Sequence, residues 1–307
     1  MKFTQIIFAF TCLLIISCAG NKPLSLKMAL PQGDKFNYSM ATNTVANVSV
    51  MGMDQKTTSM QKMDYLYEVI SSESNGDQKI KSTIKSIEVD QINPMQTMHY
   101  SSRETANNSP ELSEVYEPIL GHEMIMKFND KGEMVKFEKG GNLLDKMFEG
   151  KDDEAMVQMK SIIESQFGED AMAAQMSNIT SVYPKNPVKV GDSWTKEDVT
   201  NGAIALIVKT TYTLTSRKNG KAMVSLKGTV SPNPDSKALE MMGMKMTYQL
   251  GGPLTGNMVI DEKTGWVDEA NIDQDLEGKV NISGEMIGSM DTDMSMSSST
   301  ITKRTSL

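Results

Sequence analysis

Methionine is in excess here, 27 of 307 residues, and its thioether offers the most accessible side-chain chemistry in the chain. Met51 and Met53, Met244 and Met246, and Met294 and Met296 are Met-x-Met pairs. Thioethers are soft ligands that suit Cu(I). The same spacing puts both members of a pair on one face of a strand. There methionine serves as a flexible, polarizable filler of cores and of surfaces that accept varied apolar partners. Three expectations follow: a plain core, a methionine-lined cavity for an apolar ligand or partner protein, and a Cu(I) site. The residues expected to line the cavity are Met242, Met244, Met246, Met286, Met290, Met294 and Met296. Only two histidines occur, His99 and His122, so a His-built metal site is not expected, and neither is a cofactor.

Three short motifs resemble enzyme or metal sites and fail in context. Gly191-Asp192-Ser193 resembles the nucleophile block of an esterase family, but that chemistry needs a histidine base beside the serine. No histidine follows His122. Ser82-Thr83-Ile84-Lys85 with Lys263-Thr264-Gly265 resembles the motif pair of serine β-lactamases and penicillin-binding proteins. The first motif lies in a β-patterned segment, where positions i and i+3 face opposite ways, and the second lies in a turn. Asp273 to Gly278 resembles half a calcium loop, yet the twelfth position, which needs a bidentate glutamate, is Gly284. With two histidines and no free cysteine, no nucleophile, base and orienting group can be assembled, so no enzyme is expected.

The elements that must position the methionines are strands. Phe36, Tyr38 and Met40 alternate, as do Met63, Tyr65, Tyr67 and Val69. Ile80 to Val89 reads as a third strand with a phase change near Ser86. Residues 101 to 118 read as loop. Met124 to Phe128 and Val135 to Phe137 flank Asn129-Asp130-Lys131-Gly132 as a hairpin. The period then becomes helical: Met156, Met159, Ile163 and Phe167 recur at spacings of three and four. Strand patterning returns after Tyr183-Pro184. Ile204 to Leu214 and Val224 to Val230 flank Asn219-Gly220, the strongest hairpin signal in the chain. Long alternating runs follow from Met242 to Ile260 and from Ala270 to Met296.

The expected fold is α+β and predominantly antiparallel β. Its long curved strands form a half-barrel or incomplete barrel, with a helical insert around 143–176. Residues 34–307 are expected to be one β-rich domain. Two lobes, 34–140 and 183–300, joined by the helices are the alternative.

The N-terminus reads as an export signal over residues 1–17. Lys2 is followed by an apolar run too short to span a bilayer. Ile15-Ile16-Ser17-Cys18 resembles the bacterial lipobox. The resemblance implies cleavage before Cys18 and acylation of that cysteine. Two or three acyl chains anchor stably where one does not. Residues 18–33 are expected to be a lipidated tether. Ala19 after the cysteine favours the outer membrane, on its periplasmic face. Loss of Lys2 leaves 30 basic against 39 acidic residues, a net charge of −9. That balance argues against nucleic acid, whose binding depends on Lys and Arg. Once Cys12 is removed and Cys18 capped, no intramolecular disulfide can form.

Two stretches carry a family resemblance: Tyr183-Pro184-Lys185-Asn186-Pro187-Val188-Lys189-Val190-Gly191-Asp192-Ser193-Trp194, and the hairpin Asp261 to Trp266. The hairpin Met124 to Gly141 also fits. They resemble an uncharacterised family of lipoproteins of the Bacteroidota, a domain of unknown function. That family implies no reaction. Long antiparallel strands on a lipoprotein are also similar to lipoprotein-carrier and lipid-binding half-barrels, a likeness of fold only. Together these readings give a non-enzymatic envelope lipoprotein that binds an apolar ligand or partner through a methionine-lined β cavity. The alternatives are a structural or assembly lipoprotein without a ligand, and a Cu(I)-binding protein.

Overall fold

A computed structural model describes residues 22–50, 53–140, 180–200, 205–234, 244–284 and 288–307, with a few positions between them. Its strands are β1 (Lys35–Val50), β2 (Met53–Ser72), β3 (Gln78–Ile92), β4 (Thr97–Ser101), β5 (Glu123–Phe128), β6 (Met134–Lys139) and β7 (Ser193–Val199). They continue with β8 (Leu206–Lys218), β9 (Lys221–Pro232), β10 (Leu239–Met241), β11 (Met244–Asp261), β12 (Val267–Gly284) and β13 (Gly288–Ser306). All join one antiparallel sheet ordered β6-β5-β3-β2-β1-β13-β12-β11-β9-β8-β7, with β4 paired to β3 and β10 to β11. The two ends of the chain meet in the middle, where β1 pairs with β13 from Phe36↔Ser306 to Val48↔Met294.

Local chemistry sets the registers. The phase change near Ser86 is a bulge: Asp64 pairs with Ser86 and Tyr65 with Ile84, leaving Lys85 unpaired. Ile84 and Ile87 can then both be buried. Asn219 and Gly220 have φ of 54° and 72°, the two positive values a tight hairpin turn requires. The 124–137 hairpin differs in phase from its expected pattern. A register shift places Met134 opposite Phe128 and leaves Val135 55% exposed. Within 101–118, expected to be loop, Pro110–Tyr116 forms a helix, α1, with Ser109 at its N-cap and Leu112 buried. Pro at the first helical position loses no hydrogen bond, which makes this short helix cheap to start. Most of the insert expected at 143–176 lies outside the described residues. Asp145, Lys160, Ala173 and Met176, described within it, are helical.

Residues 22–30, read from sequence as tether, pack into the protein. Leu24, Leu26, Met28 and Leu30 are 7, 4, 1 and 1% exposed. They alternate with Ser25, Lys27 and Ala29, so the segment is an extended strap with one apolar side. Leu24 exchanges backbone hydrogen bonds with Val188, just before β7, and the Met28 amide donates to Asp130 in the β5–β6 turn. These are the two opposite edges of the sheet. Laid flat, eleven strands in a row would span roughly 48 Å. Four residues of strap reach at most about 14 Å. The sheet therefore curls until its edges nearly meet at this end. A second connector repeats the bridge: Thr180 Oγ1 donates to Gly132 O, while Trp194 Nε1 of β7 donates to Val182 O. The result is an incomplete barrel stapled at one end.

Inside the stapled end the core is filled. Trp266, between β11 and β12, stands 5.0, 5.8 and 5.6 Å from the rings of Phe36, Tyr38 and Tyr67. Met28 and Leu30 of the strap join this aromatic group, and Leu24 and Leu26 join a second cluster on β8, β9 and β11. A third cluster packs α1 against β3 and β4 through Leu112, Ile87, Val89 and Tyr100.

Candidate functional site

The far end of the long strands, away from the strap, is built differently. Alternation and register place Met244, Met246, Tyr248 and Leu250 of β11 on the concave face. Leu276, Val280 and Ile282 of β12 and Met290, Met294 and Met296 of β13 share that face. Met246, Ile282 and Met290 form one row across three strands. Leu250, Gly278, Met294 and Val48 form another, and Leu276, Met296 and Ala46 a third. Leu206, Val230, Leu250 and Leu276 are buried there, whereas Met244, Met246, Met290, Met294 and Met296 are only half-buried. Gly278 stands between Leu250 and Met294 in the second row, and a Cβ there would lie 1.9 Å from Gln249 O, so glycine lets β11 and β12 approach closely at this point.

Five of the seven residues expected to line a cavity are thus on one face of adjoining strands. Met242 and Met286 lie outside the described residues, as does the expected lipid attachment site Cys18. Sequence patterning missed Val48, Val208, Val230 and Leu254 as neighbours of the methionines. Their alternation was visible, but the register that joins distant strands is not encoded in any one segment.

The enzyme-like motifs are dispersed. Ser82 is buried within β3 while Lys85 is exposed, and Lys263 lies in the β11–β12 turn. Ser193 Oγ lies 2.8 Å from Thr213 Oγ1. Asp273, Asp275 and Glu277 alternate along the outer face of β12, and an extended strand cannot wrap a cation as a loop does. His99 Nδ1 stands 2.6 Å from Asp90 Oδ1 across the β3–β4 pair. The nearby Ser109 hydroxyl accepts from the backbone amide of His99. Among the described residues no three His, Cys, Asp or Glu side chains group as a metal site would need. Nor is any described helix long and apolar enough to cross a membrane.

Two depressions accompany the fold. One, about 720 Å³, lies near the far end, where Val48, Gly278 and Met294 line it together with Asn47, Asp54, Glu277, Lys279 and Asp293. The other, about 300 Å³, runs beside the strap between Lys27 and Asp130.

At the stapled end, ion pairs and charged hydrogen bonds hold turns together. Burial opposes ionisation of Asp261. Hydrogen bonds from Lys221 and from the amide and hydroxyl of Thr264 outweigh it, holding the carboxyl down at about 2. Arg217 pairs with both oxygens of Glu262 at 2.8 and 2.7 Å and also donates to Lys22 O of the strap. Burial pushes the Tyr38 hydroxyl up to about 12. These shifts come from the packing and ion pairs of the stapled end.

Comparison with known proteins gives a family and distant shapes. A lipovitellin structure, described for its lipid-protein interactions, is 10% identical with a TM-score of 0.48, over 90% of this chain and 25% of that one. The chain thus spans about a quarter of that protein's length. OccK5 (OpdH) of Pseudomonas aeruginosa is 7% identical with a TM-score of 0.23, over 88% of this chain and 98% of that one. An outer membrane channel from Pseudomonas putida F1 is 8% identical with a TM-score of 0.21, over 91% and 97%. No curated protein sequence matches. A family model covers residues 75–267, which takes in the stretch from Tyr183 to Trp194, the hairpin from Asp261 to Trp266 and strands β3 to β11, while the central strands β2, β1, β13 and nearly all of β12 lie outside it. On that match, the chain belongs to the Family of unknown function (DUF6263).

Proposed function

We propose that this protein is a non-enzymatic lipoprotein of the bacterial envelope that binds an apolar ligand on the concave face of its far end. One observation carries the reading: three rows in which half-buried Met, Ile and Val side chains flank buried Leu250 and Leu276 lie on a face whose other end is already filled. Half-buried methionines on adjoining strands form a pliable apolar surface. Exposed apolar surface of this kind marks interaction sites. The envelope location rests on the lipobox at Cys18 and on the resemblance to Bacteroidota lipoproteins. In this reading acyl chains on Cys18 hold the protein to the outer membrane, facing the periplasm.

Native mass spectrometry of the protein taken from its own envelope tests the ligand. An added mass that organic extraction removes is expected. A bare chain mass, with no uptake of an apolar fluorescent probe, defeats the reading. Cys18→Ser tests the anchor separately: the variant is expected to leave the membrane fraction and to lose incorporation of labelled palmitate.

A further inference from the structure

We propose that the ligand is an uncharged amphiphile: a neutral, hydrogen-bonding head such as glycerol on a long apolar tail. This rests on the reading of the far end as an apolar binding face and names the chemistry of what it takes. Between the aromatic core and the methionine rows, the concave face turns polar over two rows, and one of them lacks side-chain hydrogen bonds among the described residues. Ser59 pairs with Thr44, Thr44 with Ser298, and Ser298 with Gln274. These four side chains lie abreast on β2, β1, β13 and β12. All four are half-buried. None has a side-chain hydrogen bond to another described residue, whereas in the next row Thr42 and Thr300 bond each other at 3.1 Å.

A ligand that covers this face takes these half-buried groups out of water, which costs free energy unless it bonds them, so the row is matched to a ligand that supplies donors and acceptors. It carries no charge, and neither do the rows on either side of it across these strands. An ionised head would lose its hydration there without a countercharge. Among the described residues the charges that register places on this face include Lys196 and Asp198 on β7, four strands beyond β12, and Arg304, which lies over the Phe36 ring at the stapled end and pairs with Asp34. The Lys196 amine is already held by the carbonyl and hydroxyl of Ser181. From Ser298 to Met290 the strand advances about 26 Å, which leaves room for a long acyl tail along the methionine rows.

The test is displacement of an apolar fluorescent probe from the purified full chain. The competitors are monooleoylglycerol, oleate at pH 8, and dodecane. Monooleoylglycerol is expected to compete at least roughly tenfold better than oleate, which has the same tail. Gln274→Leu and Ser298→Ala, made separately, are each expected to weaken monooleoylglycerol roughly threefold to tenfold, the worth of one hydrogen bond. Dodecane should compete equally well against all three proteins, and melting curves should confirm that the variants fold. Oleate competing as well as monooleoylglycerol, or both variants keeping the full preference, overturns the assignment of the head site. That result leaves apolar binding intact. Failure of the probe itself to bind defeats the function reading instead.

Discussion

A Cβ added to Gly265 would stand 1.9 Å from the carbonyl oxygen of Lys27. The turn from β11 to β12 and the strap from Lys22 to Leu30 are therefore in direct backbone contact. Thr264 O accepts from the Ala29 amide, and Gly265 O accepts from the Tyr183 hydroxyl at 2.9 Å. One turn holds both connectors that staple the barrel's edges.

Gly265→Ala should release the strap. Gly265 has φ of 70°, a conformation that costs a side-chain-bearing residue about 1–2 kcal/mol. The clash adds to this, because its partner is backbone and cannot swing away. A loss of about 3 kcal/mol or more is expected in denaturant titration, with early protease cleavage between residues 22 and 30. A variant that unfolds with the parent and keeps the strap protected would show that the strap is not held at this point.

Trp266 is expected to be the costliest single truncation. It touches Phe36, Tyr38 and Tyr67 from a position three strands away from β2. Removing its ring empties the centre of the stapled end. Trp266→Ala should cost about 3–5 kcal/mol and flatten the near-UV circular dichroism. Trp266→Phe should cost less, because Trp266 Nε1 is buried with no hydrogen-bond partner among the described residues. A larger loss for Phe than for Ala would contradict this packing.

Much of the fold was legible in local patterning, and the exceptions have physical causes. Period-two alternation located the strands that carry Phe36, Tyr67, Val224 and Leu250, and turn chemistry located Asn219-Gly220. The bulge at Lys85 was visible as a phase change because it moves Ile87 to the face Ile84 already uses. The strap was readable in principle: Leu24, Leu26, Met28 and Leu30 alternate as cleanly as any strand. Proximity to a lipobox made a tether the simpler reading, and a strap reveals itself only through partners such as Val188 and Asp130, far away in sequence. The methionine face was half legible. Each Met-x-Met pair announced one face of one strand, but the rows joining Met246 to Met290 and Met294 to Val48 depend on registers set across the whole sheet. The polar row is hidden for the same reason, since Ser59, Thr44, Ser298 and Gln274 come from four separate segments.

Stability should fall in acid partly through Asp261. Its carboxyl is held at about 2 in the folded protein, below the ordinary carboxylate value. A group lowered in this way stabilises the fold at every pH above its unfolded value, near 4. The contribution fades as pH drops from there through 2. With solvent screening it is worth about 1 kcal/mol. Asp261→Asn should therefore be less stable than the parent at pH 7, with the gap closing between pH 4 and pH 2. A gap of constant size across that range would assign the loss to the turn's hydrogen bonds alone.

The methionine face gives a prediction that separates a binding surface from a packed core. Met246 and Met294 are half-buried on the concave side. A lysine at either position can lay its stem along the apolar floor and keep its amine in water. Met246→Lys and Met294→Lys should each leave the unfolding free energy within about 1 kcal/mol of the parent. The same variants should weaken an apolar probe tenfold or more, because a cation now stands in the path of the tail. Met294→Leu, which keeps the volume and loses only flexibility, should retain most of the binding. The readouts are chemical denaturation and probe fluorescence on the same samples. If the lysine variants lose several kcal/mol while probe binding holds, the methionines fill a core and the face binds nothing through them.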